Sequence, residues 1–295
     1  MPPTENEFVA RILEAQRAKD SIAVLGIDPQ LDSPNVRGVP DDYTLTRFCC
    51  EIIEACARHV IAVKPQLAYF EARGLAGMAA LAEVIATARR CGLITIADAK
   101  RGDIGATSEA YADAFLGGGE FGCDAVTVNP YLGSDAIVPF LSRVRAGRGL
   151  FVLVKTSNPS SGEFQDLEVA GGGALWERIA ERVNGWGAEF VAAGGLTPVG
   201  AVVGATYPDH ARRARAVMPR SIILVPGYGT QGAGADDAVA AARADGGGII
   251  VNASRSLMYA YRSAAELSVG MAAAQAAESM RLALKAALMR GTKTI

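Results

Sequence analysis

The sequence predicts an α/β fold, a (β/α)8 TIM barrel with an extra N-terminal helix before its first strand and a long C-terminal helix after its last. Short apolar runs alternate with helical patterns along the 295 residues, which is the arrangement of a parallel sheet with helices packed outside it. Eight such units are present, and the length suits a closed barrel, for which ~250 residues are typical. An open doubly wound sheet is the alternative, but the count of eight favours the barrel.

The predicted strands are short apolar runs that end at turn residues or charges. In chain order they are Ile22–Asp28, Val60–Lys64, Leu93–Ala97, Ala125–Val128, Leu150–Lys155, Val199–Ala205, Ile222–Val225 and Ile249–Val251. Apolar residues at helical spacing fill the gaps between these strands. The predicted helices are Leu45–Ala57, Ala72–Arg90, Ile104–Leu116, Asp135–Ala146, Ala174–Trp186, Asp209–Val217 and Asp236–Ala244.

Both ends of the chain carry a further helical pattern. An amphipathic helix around Phe8 and Ile12 precedes the first strand, and an alanine-rich helix runs from about Ala264 to Met289. Charged residues interrupt the second pattern, which indicates a helix packed on the barrel and not a membrane span. Because no linker or low-complexity block divides the chain, we expect a single TIM-barrel domain over residues 1–295.

Composition and charge exclude several classes of partner. Half of the residues are hydrophobic, and the formal net charge is -2, so no basic field would attract nucleic acid or an anionic membrane. Five cysteines without a C-x-x-C pair and only two histidines argue against a zinc site. The odd number of cysteines and the lack of a signal-peptide pattern predict a reduced, cytoplasmic location.

Polar side chains follow nearly every predicted strand, and in a barrel these C-terminal ends form the active-site face. One charged strand end would be ordinary solvated surface, whereas seven converging ends favour an active site. These ends carry Asp28, Lys64 with Gln66, Asp98 with Lys100, Asn129, Lys155 through Asn158, Pro226 through Gly232, and Asn252 through Arg255.

The segment from Asp98 to Asp103 is the most informative stretch. Alternate residues of a strand share a face, so Asp98 and Lys100 are predicted to point the same way as Ile94 and Ile96, which suit a core. Asp103 follows at the start of a helix, where a negative charge is favoured. An aspartate and a lysine side by side at a strand end indicate proton or charge chemistry.

The loops after the seventh and eighth strands indicate a phosphorylated ligand. The first is rich in glycine, which allows backbone N–H groups to approach an anion, and the second carries Arg255, whose planar guanidinium suits phosphate oxygens. Barrels often bind phosphate at these two loops. A glycine-rich loop alone is most often a plain turn, so the pairing with Arg255 carries the prediction.

With these residues placed, the chain resembles the orotidine 5'-monophosphate decarboxylases in their longer bacterial form, the type 2 subfamily. The signature Asp98-x-Lys100-x-x-Asp103 is shared with a wider superfamily of sugar-phosphate enzymes, whereas Lys64 and Arg255 are more specific. The motifs that carry the resemblance are Gly26–Pro29, Val63–Gln66, Asp98–Ile104, Lys155–Pro159, Pro226–Gly232 and Asn252–Ser256.

The resemblance implies decarboxylation of orotidine 5'-phosphate to uridine 5'-phosphate and CO2, the last step of de novo UMP synthesis, with no cofactor and no metal. The four residues Lys64, Asp98, Lys100 and Asp103 would form a catalytic tetrad of alternating charge. Lys100 would protonate the carbanion that forms at C6 of the pyrimidine.

The resemblance also implies which residues bind the substrate, a nucleotide. Asp28 and Thr107 would hold the ribose hydroxyls with help from Lys64, and Gln231 and Arg255 would hold the phosphate. Ser157 would contact the pyrimidine edge, with Thr156 and Ser160 as competitors, and Pro226 would line the base pocket. It further implies a homodimer in which Asp103, Ile104 and Thr107 complete the partner's site. Asp103 and Thr107 are four residues apart, which is compatible with one helix face.

Two rival functions compete with this interpretation. A magnesium-dependent sugar-phosphate decarboxylase or synthase of the same superfamily would carry a metal-binding carboxylate after the second strand, where this chain has Lys64. A non-catalytic nucleotide-binding barrel would not need Asp98 next to Lys100. The role of Asp98 is open between orienting the two lysines and repelling the substrate carboxylate, and we favour orientation as the larger part.

Overall fold

The computed structural model describes residues 6–30, 43–229, 233–264 and 266–291. Eight parallel strands form a closed barrel in chain order, and β8 pairs with β1 to complete it. This confirms the predicted fold. The strands are β1 (Ala23–Ile27), β2 (Ala62–Pro65), β3 (Ile94–Arg101), β4 (Ala125–Val128), β5 (Gly149–Lys155), β6 (Thr197–Val203), β7 (Ser221–Val225) and β8 (Ile249–Ala253).

Helices connect the strands and cover the outside of the barrel. They are α1 (Glu7–Lys19), α2 (Leu45–Cys56), α3 (Leu67–Glu71), α4 (Gly74–Arg90), α5 (Gly105–Leu116), α6 (Ser134–Arg145), α7 (Gly162–Gln165), α8 (Leu175–Gly187), α9 (Pro208–Val217), α10 (Ala235–Ala238), α11 (Arg255–Met258) and α12 (Val269–Gly291). The short helices α3, α7 and α11 were not predicted, because a single helical turn is too short to show an apolar period.

Two predicted helix boundaries were wrong. The helix predicted over Asp236–Ala244 ends at Ala238, and the chain continues in turns, in which Ala242 N–H donates to the Val239 carbonyl and Arg243 N–H donates to the Gly247 carbonyl. The C-terminal helix, predicted from about Ala264, begins at Val269 and extends to Gly291.

The inside of the barrel changes from apolar to charged along the strands. Near the strand N-termini it is filled by an apolar cluster, while near the C-termini it opens into a polar cavity. Outward-facing strand residues pack against the helices in a second cluster. The inner cluster includes Val24, Ala62, Ile94, Ile96, Ala125, Phe151, Ile222, Leu224 and Ile250.

Helix α1 closes the N-terminal end of the barrel. Phe8, Val9 and Ile12 are buried in the inner cluster, and the Phe8 ring meets Phe151 edge to face with centroids 6.0 Å apart. Residue 149 has to be glycine, since a Cβ there would lie 2.5 Å from the Phe8 ring. The extra helix is therefore part of the core, which makes the barrel floor solid beneath the cavity.

Helix α12 packs against α2 on the outside. Small buried residues, Ala272, Ala273 and Ala277, allow a close approach, and Gly270 N–H donates to Glu51 Oε1 at 3.0 Å. This packing explains the alanine-rich pattern. Within the described residues, no helix combines the length and apolarity that crossing a membrane would require.

We expect Phe8→Ala to lower the free energy of unfolding by about 3–5 kcal/mol, because it removes a buried ring from the barrel floor and leaves a cavity. Urea unfolding followed by circular dichroism measures this change. Glu14→Ala on the exposed face of the same helix is the control, with an expected change within about 0.5 kcal/mol. An equal effect of both substitutions would mean that α1 does not contribute through Phe8.

Candidate active site

A cavity of about 390 Å³ opens at the C-terminal ends of the strands. A larger and shallower groove of about 800 Å³ beside Arg182 and Trp186 holds none of the predicted site residues. The chemistry therefore belongs to the smaller cavity. Seven of the predicted residues line it, namely Asp28, Lys64, Asp98, Lys100, Ser157, Pro226 and Arg255.

Asp98 is the centre of the polar network, and both of its oxygens are fully engaged. Oδ2 accepts from Lys64 Nζ and, at 3.2 Å, from Gln66 Nε2. Oδ1 accepts from Lys100 Nζ at 2.6 Å and from Thr127 Oγ1 at 2.9 Å. The carboxylate is 5% exposed, so these four donors replace the water that it has lost.

The charges of this network stabilise one another. Burial alone would raise the pKa of Asp98, but the cationic Lys64 and Lys100 outweigh it and hold that pKa well below its usual range. Burial would likewise lower the pKa of Lys64, yet the negative Asp98 and Asp28 leave it raised. Asp98 is therefore ionised and Lys64 is a cation at neutral pH.

Lys100 reaches the cavity from an unusual backbone conformation. Its φ is 47°, one of two positive values at non-glycine residues in the described chain, and the β3–β4 register shifts between Ala97 and Arg101. A left-handed conformation costs a residue with a side chain roughly 1–2 kcal/mol. Lys100 N–H donates to Thr127 Oγ1 at 3.0 Å, which offsets part of that cost. Strand alternation thus correctly predicted that Asp98 and Lys100 lie on the same side of β3. It did not predict the irregular backbone through which Lys100 reaches Asp98.

The side of the cavity near β1 and β8 offers groups with unused hydrogen-bonding capacity. Asp28 Oδ1 and Asn252 Oδ1 are both buried without a partner among the described residues. Arg255 begins α11 with an exposed side chain, and it forms no ion pair within the described ranges. Gln231, the other predicted phosphate ligand, lies outside the described residues.

Ser157 and Thr156 line the cavity at the end of β5, whereas Ser160 is exposed and lies outside it. Gly204 makes room for this segment, since a Cβ at 204 would lie 2.7 Å from Ser157 Cβ. Gln165 fixes the segment further, because its Oε1 accepts from Thr156 N–H at 2.9 Å. The segment of Thr156 and Ser157 is therefore held by its own loop.

Two strand-end residues that were expected at the rim turn away from the cavity. Lys155 is fully buried on the other side of β5, where Nζ donates to Asp166 Oδ1 at 2.7 Å and lies 5.1 Å from the centre of the Tyr207 ring. A register shift between Leu153 and Lys155 causes this reversal. Asn129 instead accepts a hydrogen bond from Tyr131 N–H at 3.0 Å and forms a turn.

Asp103, Ile104 and Thr107 do not line the cavity of their own chain. Asp103 Oδ1 accepts from Ile104 N–H at 2.8 Å, and Ile104 is 54% exposed at the start of α5. Thr107 is also exposed, so none of the three contributes to the cavity that contains Lys64, Asp98 and Lys100 in its own chain.

Thr127 is the main site residue that the sequence prediction missed. It lies two positions after Ala125 on β4, so strand alternation already places it inside the barrel. A threonine inside a strand is most often a core residue, and its partners on β3 were not visible in sequence.

No set of three or more histidine, cysteine, aspartate or glutamate side chains gathers as a metal site in the described part of the chain.

Comparison with known proteins identifies what this arrangement is similar to. A family model described as Orotidine 5'-phosphate decarboxylase / HUMPS family matches residues 31–268. An orotidine 5'-phosphate decarboxylase from Rhodopirellula baltica is 46% identical over 270 residues, covering 86% of this chain and 89% of that protein. One from Deinococcus radiodurans is 42% identical over 290 residues, covering 98% and 99%. A solved structure of OMP decarboxylase from Leishmania donovani has a TM-score of 0.77 at 33% identity, covering 96% of this chain and 99% of that one.

The low pKa of Asp98 and the raised pKa of Lys64 predict how stability depends on pH. Asp98→Asn leaves Lys64 buried with a weakened counter-charge, so we expect a loss of roughly 3–5 kcal/mol at neutral pH. The stability that Asp98 contributes is fully present above the unfolded-state pKa of about 3.9 and is lost as pH falls towards its lower folded value. The contribution of Lys64 is fully present below about pH 10.4 and is lost as pH rises through its raised folded value.

Urea unfolding from pH 3 to pH 8 should therefore show a constant difference between the wild type and Asp98→Asn above about pH 5, and a smaller difference below about pH 4. Asp113→Asn is the control, because Asp113 pairs with Arg143 on the exposed surface and its loss should cost less than about 1 kcal/mol. A difference that does not change between pH 8 and pH 3 would contradict the assignment of a depressed pKa to Asp98.

Proposed function

The chain belongs to the orotidine 5'-phosphate decarboxylase / HUMPS family, and we propose that it converts orotidine 5'-phosphate to uridine 5'-phosphate and CO2, the last step of de novo UMP synthesis. The observation that carries the proposal is the Lys64–Asp98–Lys100 array in a nucleotide-sized cavity, with Lys64 and Asp98 buried and Lys100 partly exposed. Such fixed charges stabilise a carbanion in a site that excludes water.

The reaction breaks the bond between C6 and the carboxylate carbon, and the electron pair stays on C6 as CO2 leaves. Lys100 then transfers a proton from Nζ to C6 and is reprotonated from solvent. Its side chain is suited to this role, because it is partly exposed to the cavity while Asp98 holds it at 2.6 Å. The pre-placed ammonium group stabilises negative charge at C6 before and during the loss of CO2.

Asp98 mainly orients the two lysines. Two unit charges about 4 Å apart interact by roughly 4 kcal/mol at an effective dielectric constant of 20, so a substrate carboxylate beside a free Asp98 would be strongly repelled. Here four donors surround Asp98 and two of them are cations, which offsets much of that repulsion. Because both Asp98 oxygens already accept two hydrogen bonds each, we infer that Asp98 contributes to catalysis more by orienting the lysines than by repelling the substrate carboxylate.

The remaining cavity residues bind the nucleotide. Asp28, with a free buried oxygen beside Lys64, accepts ribose hydroxyls, and Ser157 contacts the pyrimidine edge near Pro226. Arg255 binds the phosphate at the rim, together with Gln231. A guanidinium without a protein counter-ion among the described residues is suited to a phosphate dianion.

The enzyme acts as a homodimer in which Asp103, Ile104 and Thr107 complete the partner's site. They lie just before and in the first turn of α5, are accessible to solvent, and do not line the cavity of their own chain. Large apolar residues are exposed on neighbouring segments, which supports a covered face. They are Leu75 in the first turn of α4, and Tyr131 and Leu132 after β4.

The whole chain, residues 1–295, forms one decarboxylase domain, since α1 fills the barrel floor and α12 packs on α2. We place it in the cytoplasm, in agreement with five cysteines that are all free thiols. The net charge of -2 favours neither nucleic acid nor a membrane as a partner.

A metal-dependent sugar-phosphate decarboxylase or synthase is the alternative function. The decisive position is residue 64, where those enzymes would need a carboxylate and this chain has a lysine whose Nζ binds Asp98. The Lys64 cation would repel a divalent metal ion. It also pairs with Asp98, the carboxylate that would have to bind the metal.

The proposed reaction is tested by the loss of orotidine 5'-phosphate absorbance with no added metal and with EDTA present. We expect turnover by the wild type, and none by Lys100→Ala, which should still bind UMP because the other nucleotide contacts are intact. Loss of wild-type activity in EDTA would favour the metal-dependent alternative. Decarboxylation by Lys100→Ala would exclude Lys100 as the proton donor.

The shared site is tested by mixing two variants, Asp103→Ala and Lys100→Ala, each with little activity alone. Subunit exchange creates one intact site in each mixed dimer, so activity should recover to on the order of a quarter of the wild-type value. Mixing Lys64→Ala with Lys100→Ala is the control, because both residues serve the cavity of their own chain and no intact site can form. Absence of recovery in the first mixture would contradict a site shared between subunits.

A further inference from the structure

Thr127 occupies a position between the two central charged groups of the cavity. Its hydroxyl donates to Asp98 Oδ1 at 2.9 Å and accepts from the backbone N–H of Lys100 at 3.0 Å. The residue is 1% exposed and comes from β4, whereas Asp98 and Lys100 lie on β3. A single hydroxyl thus ties the carboxylate to the main chain that carries the lysine.

The bond to the Lys100 N–H acts where the backbone is strained. Lys100 has a φ of 47°, and the strand register shifts around it. A non-glycine residue keeps such a conformation only where its surroundings hold it, and relaxation would swing the side chain away from its present direction. The Thr127 oxygen is the hydrogen-bond acceptor that fixes this peptide.

The bond to Asp98 fixes the other partner. Oδ1 receives two donors, Lys100 Nζ and Thr127 Oγ1. Without the hydroxyl, only the donors to Oδ2 and Lys100 Nζ itself would restrain the carboxylate within the described residues, and a small rotation about its Cβ–Cγ bond would move Lys100 Nζ with Oδ1. Both ends of the Asp98–Lys100 pair therefore depend on the same oxygen atom.

We propose that Thr127 is a positioning residue for decarboxylation, one that sets the location of Lys100 Nζ relative to C6 through Asp98 and the Lys100 peptide. The inference rests on the proposed function. Thr127 is not itself the proton donor, so its loss should lower the rate of the chemical step and leave nucleotide affinity nearly unchanged. A displacement on the order of 1 Å at a catalytic group is enough to cost about a hundredfold in rate.

Thr95 provides a matched control within the same barrel. It lies on β3, is also 1% exposed, donates to Asp124 Oδ2 at 3.1 Å and accepts from Asp124 N–H at 3.2 Å. The bonding pattern is the same as that of Thr127, but it lies near the strand N-termini, away from the cavity. A purely structural role for a buried strand threonine would therefore affect both positions alike.

The test compares Thr127→Val, Thr127→Ser and Thr95→Val for kcat, KM and UMP affinity. Thr127→Val keeps the shape but removes the hydroxyl, and we expect kcat to fall at least tenfold while KM and the Kd for UMP change less than threefold. Thr127→Ser retains the hydroxyl and should stay within threefold of the wild-type kcat. Thr95→Val should lower the urea midpoint while its kcat stays within twofold.

Several outcomes would overturn the inference. A wild-type kcat for Thr127→Val, equal losses in Thr127→Val and Thr127→Ser, or an equal loss of kcat in Thr95→Val would each do so. If Thr127→Val does not fold, Thr127→Ala replaces it, and failure of both would assign the hydroxyl to folding and reject a positioning role. Lack of turnover by the wild type would reject the proposed function and this inference together, whereas the other outcomes leave the proposed function standing.

Discussion

The buried carboxylate of Asp98, held between Lys64 and Lys100, is the interaction on which the rest of the cavity depends. Burying the charges of Lys64 and Asp98 is unfavourable by several kcal/mol per ion unless the geometry pairs them and satisfies their hydrogen bonds. The surrounding features meet that requirement: Gln66 and Thr127 supply the two neutral donors, and the bulge in β3 turns Lys100 towards the same carboxylate. A site of this kind tolerates little rearrangement, because any partner that leaves exposes an uncompensated charge.

The barrel beneath this network supplies the rigidity that the charges need. Apolar side chains from the strands and from α1 fill the inside below the cavity, with Phe8 packed on Phe151. Close packing of this sort transmits small displacements and does not absorb them, so the strand ends that carry Lys64 and Asp98 have fixed separations. The same packing excludes water from below, which strengthens the electrostatic interactions in the cavity. The N-terminal helix therefore contributes to the site although none of its residues touches it.

The sequence predicted the parts of the fold and site that follow from regular periodicity. Asp28, Lys64 and Asp98 were found because each ends an apolar strand, and parallel strands of a barrel end on one face. Irregular backbone was beyond such reasoning: a register shift turns Lys155 away from the cavity, and a side-chain turn keeps Asn129 out of it. Alternation placed Thr127 on the correct face of β4. Its hydrogen bonds to Asp98 and Lys100 could not be predicted, because they depend on how β4 pairs with β3 and the sequence of one strand does not determine that register.

The charge balance of the cavity explains what a second subunit would add. Of the predicted tetrad, one chain contributes to its own cavity two cations, Lys64 and Lys100, and one carboxylate, Asp98. In the proposed dimer, Asp103 from the neighbouring chain brings the tetrad to neutrality, so a substrate carboxylate is the one unbalanced charge at C6. Loss of CO2 leaves that negative charge on the carbanion, in nearly the same place, until Lys100 transfers its proton. The field of the site therefore does not need to reorganise during the step, which is the condition under which fixed charges accelerate a reaction most.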